Sequence, residues 1–349
     1  MLKLKRLTKN LLSLALVLTV SLVMSWYGTG IAKADQEEIA KREAAKKEGK
    51  LVFYTTVNTI AGEKLLKGFN ERYPFVRTEL YRAGGEKFLT KILTESRAKK
   101  YTADVLLCDS LDSHIIQSEG IVSKYVSPES KVYSEQFKNP DGFWTASHVL
   151  TRVLAYNTKL VSPQDVPKRY EDLLDPKWKG NLGMPDNELG WFAGLLKIMG
   201  REKGIEFMKK LSQQNMQFRV GKAIITQLLA AGEFPIAVTT NSNLALEGKR
   251  AGANIEWVNI EPVLTSLMPV MVAAHAPHPN AAMLFVDFVL SKEGQEVFRS
   301  INRIPLRPGV PPDPPRLIQG LKLLPMDPSW SGKEYYQLWR QIFSIRVSK

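Results

Sequence analysis

The chain has 349 residues, of which 44% are hydrophobic and 24% charged, with a formal net charge of +13 at pH 7. This length exceeds the roughly 250 to 300 residues at which a single hydrophobic core stops growing, so two lobes are expected. The composition is that of a globular protein and excludes a disordered chain, a collagen and an integral membrane bundle.

The first 34 residues have the pattern of a secretory signal peptide. Basic residues precede an apolar run from Leu11 to Met24, and Ala32-Lys33-Ala34 has the small-x-small pattern of a cleavage site. We therefore expect an exported protein, periplasmic or extracytoplasmic, that begins at Asp35 after cleavage. The alternative is an uncleaved anchor, although the apolar run is shorter than the roughly 20 residues of a spanning helix.

The positive charge does not by itself indicate a nucleic-acid partner. Five of the 48 basic residues and no acidic residue lie in this leader, which leaves 43 basic against 35 acidic side chains. The remaining surplus is spread along the chain without a dense arginine run, which is typical of a solvated basic surface. The sequence therefore predicts no nucleic-acid binding.

The chain after the leader predicts a first α/β lobe. An alanine- and charge-rich helix at 36–48 comes first. Strands then alternate with helices: a strand at 51–56, a helix at 61–72, a strand at 76–80, a helix around 88–93 and a strand at 103–108. Continuous apolar strands separated by helices predict a parallel sheet that is covered on both faces.

A second α/β set lies between two extended stretches, 144–157 and 263–274. It contains strands at 181–184, 234–240 and 255–258 and helices at 188–199, 202–213 and 222–231. Helices at 280–290 and 292–300 follow the second stretch, and a proline-rich link leads to a helix around 335–345. Two crossings predict one lobe inserted into another: lobe I at 35–148 and 265–312, lobe II at 149–264, and the link with its helix at 313–349.

Polar side chains follow several of the predicted strands. Ligands of such sheets bind outside the carboxyl ends of the strands, where the free N–H groups of helix N termini attract anions. Gly221 and Lys222 open a helix at the same edge, and Trp191 is placed to stack on a ligand or to join the core. The candidates for ligand binding are Thr55, Thr56, Asp109, Ser110, Asp186, Asn187, Trp191, Thr239, Thr240, Asn241 and Ser242. The alternative is that they are N-caps and turn residues.

Catalytic and metal-binding signatures are absent from the sequence. It has no GxSxG, HExxH or Walker A motif, and no GxGxxG outside the leader. Of the four histidines only His275 and His278 are close together, in a proline-held turn that reads as a loop rather than a metal site. Cys108 follows an apolar run and reads as a buried structural thiol. We therefore expect no enzyme, no metal and no cofactor.

Six segments resemble the extracellular solute-binding proteins of ABC importers, particularly their ferric-iron-binding members. The resemblance covers about residues 49 to 306 and implies a type II periplasmic-binding-protein fold, with two α/β lobes joined by two hinge strands. It also implies that the cleft closes on a small-molecule solute, and that the partners are a membrane permease and its ATPase. The segments are Tyr54-Thr55-Thr56, Ala103-Asp104-Val105, residues 154–158, 174–180, 232–237 and 276–282.

The ferric ligands of that family are only partly present. By the resemblance, its histidine falls near Asn58, its carboxylate on Asp109 and its two tyrosines on Asn241-Ser242, so only the carboxylate remains. Because ferric iron prefers anionic oxygen donors, the chain is predicted to bind a small polar or anionic solute, such as an organic acid or phosphonate. Asn58 joins the candidate site residues on this ground.

Two alternatives remain open. One is a ferric iron or iron-chelate binder with atypical ligands. The other is an exported enzyme in which Asp109 or Asp186 acts as a general base. The loop Asp186-Asn187-Glu188 also bears on the ligand, because two acidic groups would repel a bare anion unless they accept from an amine. A zwitterionic solute fits that loop better.

Overall fold

The computed structural model describes residues 36–343 of the chain. The predicted signal peptide and its cleavage site lie outside these residues. Within the described range, no helix is both long enough and apolar enough to cross a membrane.

Strands and helices alternate along the described chain. The strands are β1 (Lys50–Thr55), β2 (Arg77–Arg82), β3 (Val105–Leu107), β4 (Thr145–Asn157), β5 (Leu182–Pro185), β6 (Gln217–Arg219), β7 (Ile236–Asn241), β8 (Ile255–Val258), β9 (Val263–Val272), β10 (Ile304–Pro305) and β11 (Leu323–Pro325). The helices are α1 (residues 36–48), α2 (Thr59–Arg72), α3 (Gly85–Arg97), α4 (Ser110–Ser118), α5 (Leu189–Met199), α6 (Arg201–Ser212), α7 (Gly221–Ala231), α8 (Ser242–Arg250), α9 (Pro279–Leu290), α10 (Lys292–Ser300) and α11 (Lys333–Phe343).

One continuous sheet runs through the molecule in the order β2-β1-β3-β9-β4-β7-β5-β6. The pairing is parallel at both ends, where β1 joins β2 and β3, and β5 joins β6 and β7. In the middle, β4 and β9 pair antiparallel with each other and with their neighbours β7 and β3. The parallel sheets expected from the apolar strands are therefore found in each half, and two antiparallel strands join the halves.

The two predicted crossings are β4 and β9. They pair from Thr145 opposite Val270 to Thr151 opposite Thr265. Each continues into the other half of the sheet, so the proposed lobe boundaries at 148/149 and 264/265 fall inside strands. The boundaries themselves stay a prediction.

Each half of the sheet has its own aromatic core. In the first half, α9 and α10 return to pack Phe285 and Phe298 with Phe53 of β1 and Phe69 of α2. The first half therefore contains segments that lie on both sides of residues 149–264 in the sequence. In the second half, the core contains Trp178, Trp191, Phe192, Phe207 and Trp339.

Several short elements were not predicted. The helices α4 and α8 contain few apolar residues, and β6, β10 and β11 have three residues or fewer. The strand β11 pairs with β9 and follows the proline-rich stretch, which was expected to be only a link. Elements of this size have too few positions to show a hydrophobic period.

Candidate functional site

A cavity of about 240 Å³ lies where the carboxyl ends of the strands meet the two crossings. Both halves of the molecule and the C-terminal segment contribute to its wall. The lining residues are Asp109, Ser110, Leu111, Arg152, Asn187, Glu188, Leu189, Gly190, Lys222, Ser266, Met326, Asp327 and Pro328.

Arg152 is the centre of a polar network at this cavity. It lies on β4, and its side chain is only 11% exposed. Its Nε donates to Glu188 Oε2 at 3.2 Å, its Nη1 to Asn241 Oδ1 at 2.6 Å and its Nη2 to Ser266 Oγ at 3.1 Å. A guanidinium has five N–H donors, so these three bonds fix its plane and leave donors over for a ligand.

Glu188 connects Arg152 with a second buried cation, Lys222. The Glu188 side chain is 2% exposed, and its Oε1 contacts the ammonium of Lys222, which is 20% exposed. Burial by itself would raise the pKa of Glu188, but Lys222 and Arg152 outweigh burial and hold it below its usual value. The carboxylate therefore stays charged and neutralises one of the two cations.

Lys222 remains a strong hydrogen-bond donor toward the cavity. Burial and the nearby Arg152 lower its pKa, and Glu188 and Asp109 only partly offset them. A buried cation of this kind is stabilised by any anion that reaches it. The group formed by Arg152, Glu188 and Lys222, called here the cationic triad, carries a net charge of +1.

Two helices begin at the cavity without a capping side chain. Neither α5, which starts after Glu188, nor α7, which starts after Val220, has a side-chain hydrogen bond at its N-cap. In α5 the N–H of Phe192 bonds to the Glu188 carbonyl at 2.9 Å, which leaves the N–H groups before it outside that ladder. Helix N termini of this kind favour a bound anion.

Three of the predicted candidates line the cavity: Asp109, Ser110 and Asn187. Asp109 is the N-cap of α4, and its Oδ1 accepts the N–H groups of Leu111 at 2.9 Å and Asp112 at 3.1 Å. Asn241 does not line the cavity but bonds to Arg152, which does. Its Oδ1 accepts from Arg152 and does not cap α8.

The candidates that follow β1 form the turn into α2 and do not line the cavity. Thr55 Oγ1 donates to the Leu107 carbonyl at 2.8 Å, and the Thr56 N–H donates to the same carbonyl at 3.1 Å. Asn58 caps α2 by accepting the Ala61 N–H at 2.8 Å. These are the N-cap and turn roles of the alternative interpretation, and a ligand contact for them stays a prediction.

The candidates at the end of β7 and the start of α8 are mostly buried between elements. Thr239 is 1% exposed and Thr240 is fully buried, with its Oγ1 2.7 Å from Thr226 Oγ1 on α7. Ser242 is 1% exposed and accepts from Thr151 Oγ1 at 2.6 Å. Thr240 therefore ties β7 to α7, and Ser242 ties the start of α8 to β4. None of the three lines the cavity, and a ligand contact for them stays a prediction.

The structure places Trp191 in the core and Asp186 directly after β5. Trp191 is 1% exposed and meets the Tyr170 ring edge-on at 5.9 Å, because α5 turns this position toward the second core. The backbone N–H of Asp186 bonds to the Arg219 carbonyl at 2.9 Å, which ties the end of β5 to β6. Neither residue lines the cavity.

Sequence reasoning missed Arg152 and Ser266. It located Lys222 at the ligand-binding edge of the sheet but did not name it as a candidate. The one feature that could have indicated Arg152 is its charge within the crossing strand β4, where most other residues are buried. A charged side chain in such a strand needs a partner, and here the partners are distant in the chain.

Residues that could hold a metal do not converge. In the described range 36–343, no three His, Cys, Asp or Glu side chains are grouped to hold a metal ion. His278 Nδ1 lies 2.9 Å from Asp104 Oδ2, whereas His275 stacks on Tyr101 at 4.2 Å. Cys108 is fully buried, and burial raises the pKa of its thiol, as expected of a structural cysteine.

A second cavity, of about 170 Å³, lies at the opposite end of β3 and is lined in part by Ile92, Tyr101, Ala103 and Ile121. Ala103 precedes β3, so this cavity is not at the carboxyl ends of the strands. It has no buried cation. The first cavity is therefore the better candidate for a ligand site.

Comparison with known proteins agrees with the geometry. The sequence profile of the bacterial extracellular solute-binding proteins matches residues 104–327. An uncharacterized protein of Haemophilus influenzae is 29% identical over 274 residues, which cover 74% of this chain and 78% of that protein.

Solved structures share the fold. Iron-bound HitA from Pseudomonas aeruginosa superposes with a TM-score of 0.74 and 24% identity, over 84% of this chain and 99% of that one. The periplasmic binding protein AfuA from Actinobacillus pleuropneumoniae, with fructose-6-phosphate bound, has a TM-score of 0.70 and 23% identity, over 85% of this chain and 97% of that one. These likenesses confirm the predicted periplasmic-binding fold of two α/β lobes joined by two strands.

Proposed function

We propose, from the premise that the chain belongs to the bacterial extracellular solute-binding proteins, that it is the extracytoplasmic receptor of an ABC importer. Its solute is a small molecule with an acidic head group, a carboxylate or a phosphonate, bound in the cavity between the halves. A membrane permease and its ATPase are the proposed partners. The observation that carries the proposal is the pair of cations at the cavity, Arg152 and Lys222, whose side chains are only 11% and 20% exposed.

The chemistry of the wall favours an oxyanion. Arg152 and Lys222 share one carboxylate, so the cationic triad has a net charge of +1 and spare N–H donors. Ser110 and Ser266 add hydroxyl groups, and the uncapped starts of α5 and α7 add backbone N–H groups. Charge-assisted hydrogen bonds from such groups are among the stronger ones in proteins.

The same features weigh against a directly bound ferric ion. HitA is iron-bound, but here Asn241 and Ser242 stand at the positions that the resemblance assigns to tyrosines. Asn241 Oδ1 instead accepts from Arg152, which puts a positive charge beside the metal position. A second cation there is repelled by the first, whereas an acidic solute such as the sugar phosphate held by AfuA is attracted.

Among residues 36–343, the two carboxylates proposed as general bases lack the arrangement that the enzyme alternative needs. The Oδ1 of Asp109 accepts two backbone N–H groups as a helix cap, and Asp186 does not line the cavity. A general base needs a reacting partner within hydrogen-bond reach. A reversible binding function accounts for the site without one.

Calorimetric titration tests the proposal. Purified protein is titrated with malate, propionate, ethylphosphonate, inorganic phosphate and ferric citrate. We expect at least one acid to bind, and Lys222→Met to weaken it by roughly 10- to 100-fold, because a hydrogen bond to a charged group contributes about 1.5 to 3 kcal/mol. Lys222→Arg, which keeps the charge, should lose less.

Lys210→Met is the matched control, because Lys210 is an exposed lysine that pairs with Glu206 on α6. It should leave the affinity unchanged. An equal loss in both methionine variants would remove Lys222 from the site. Binding of ferric citrate alone, unaffected by Lys222→Met, would favour the iron alternative.

A further inference from the structure

We infer that the solute carries a protonated amine in addition to its acidic group, and that Asp109 receives this amine. The inference rests on the proposed function and names the solute class more closely: a small zwitterion. It comes from the charges that line the cavity and from the unused oxygen of Asp109.

The cavity wall carries a carboxylate in addition to the one inside the cationic triad. Asp109 lines the cavity together with the triad, whose net charge is +1. An anion that entered alone would compensate the triad but would leave the Asp109 carboxylate without a complement. A solute with one acidic group and one amine adds no net charge and can place each group opposite its complement.

The positive and negative parts of the wall belong to different elements. The cationic triad comes from β4, the start of α5 and the start of α7, whereas Asp109 caps α4 at the end of β3. Asp109 partly offsets the lowering of the Lys222 pKa by burial and Arg152, so its charge acts on the ammonium. The two groups nevertheless form no ion pair within the described residues, as expected if they stand on opposite sides of the cavity.

Asp109 has an oxygen to offer. Its Oδ1 accepts the N–H groups of Leu111 and Asp112, which fixes the side chain at the start of α4. In the described range, Oδ2 has neither a hydrogen-bond nor an ion-pair partner, and the residue lines the cavity. A carboxylate held by one oxygen and open at the other is well arranged to accept a bond from an ammonium group.

Glu188 and Asp186 are less suitable than Asp109 as acceptors for the amine of the solute. Glu188 is engaged by both cations of the triad. Asp186, which the sequence grouped with Glu188 as a possible amine acceptor, does not line the cavity. The proposed amine site therefore lies at the start of α4, and not in the loop 186–188 that first suggested a zwitterion.

The test compares pairs of probes that differ by the amine alone. Propionate is paired with β-alanine, butyrate with 4-aminobutyrate, and ethylphosphonate with 2-aminoethylphosphonate, each titrated calorimetrically into the full chain. In at least one pair, the amino member should bind at least 10-fold more tightly to the unaltered protein. The probes differ in the separation between amine and acidic group, so that one of them can match the distance from Asp109 to the cationic triad.

Asp109→Asn removes the charge and keeps the helix cap, since asparagine caps as well as aspartate. In this variant the preference for the amino member should fall to about 2-fold or less, while the amine-free acid binds at least as tightly as before. Asp186→Asn is the matched control and should keep the preference. A melting temperature of Asp109→Asn that is not below that of the unaltered protein confirms that the cap and the fold are intact.

The outcomes separate the two proposals. If an amine-free acid binds the unaltered protein as tightly as its amino partner in every pair, the inference is overturned and the anion receptor stands. If Asp186→Asn, and not Asp109→Asn, abolishes the preference, the assignment of Asp109 is wrong. If no probe binds with or without an amine, and ferric citrate does, both proposals fail.

Discussion

At the scale of single residues, Asp112 is held in an environment that opposes its charge. Its side chain is buried, and its Oδ2 has no hydrogen-bond partner in the described part of the chain. Burial, and then repulsion from Asp109, raise the pKa of Asp112 from its usual 3.8 to about 7. At neutral pH this carboxyl is half-charged in a place where charge is costly.

This shift predicts a pH-dependent stability. Because the folded-state pKa lies above the unfolded one, the folded protein holds the extra proton, and stability falls as the pH rises from about 4 to about 7. Asp112→Asn cannot ionise, so we expect it to exceed the unaltered protein in free energy of unfolding by about 1 to 3 kcal/mol at pH 8. Near pH 4 the advantage should disappear.

Urea unfolding at the two pH values measures the difference. Asp141→Asn, at an exposed position, is the control and should show no such dependence. The same gain for Asp112→Asn at pH 4 and pH 8 would show that its cause is not ionisation.

The residues of the cavity show which parts of a site can be predicted from sequence. Asp109, Ser110 and Asn187 follow strands, so the rule that ligands bind at strand ends located them. Arg152 lies inside a strand, and its three partners come from separate segments, up to 114 positions away. No local pattern records such pairings, because they follow from the packing of β4, β7 and β9.

At the scale of elements, the helix α11 shows how a short amphipathic segment becomes part of a core. Trp339 is 1% exposed, with its ring 5.5 Å from Phe192 of α5 and 4.5 Å from Phe343. Arg201 of α6 contacts Glu334 at the start of the helix. The helix predicted around 335–345 is thus found at Lys333–Phe343, where it packs against α5 and α6.

Removing the Trp339 ring should destabilise the protein strongly. Trp339→Ala leaves a cavity between α11 and α5 and is expected to cost about 3 to 5 kcal/mol. Gln337→Ala, on the exposed face of the same helix, should change stability by less than about 0.5 kcal/mol. Urea unfolding of both variants checks this, and equal effects would mean that α11 adds little to the core.

The elements that could be predicted from the sequence are those whose apolar residues recur at regular spacing. The helices α2, α5, α7 and α9 have regularly spaced apolar residues and begin within two residues of their predicted starts. By contrast, α4 and α8 are short, and their stability comes from capping by Asp109 and from contacts with the strands beside them. Their positions depend on the completed fold.

At the scale of the whole molecule, β4 and β9 are the strands that pass between the two halves of the sheet. The cavity wall includes residues from both halves, so a bound solute contacts both at once. Such a contact stabilises the arrangement in which the halves are close together.

Small-angle scattering tests this motion. Saturation with the tightest-binding acid from the calorimetric screen should reduce the radius of gyration. Lys222→Met at the same acid concentration should retain the larger radius, because most of it stays unliganded. An unchanged radius for the saturated, unaltered protein would contradict closure of the cleft.

The place of residues 323–328 in the chain has a consequence for how the protein is made. The strand β11 pairs with β9, and the next residues, Met326 to Pro328, complete the cavity wall. The ribosome produces this segment after β1 to β10, and it produces α11, which adds Trp339 to the second core, later still. The first half cannot complete its core before β9, α9 and α10 are made, and the second half cannot complete its core before α11 is made. The cavity wall is therefore completed late in synthesis, and the nascent chain cannot hold its solute until residues 323–328 have been made.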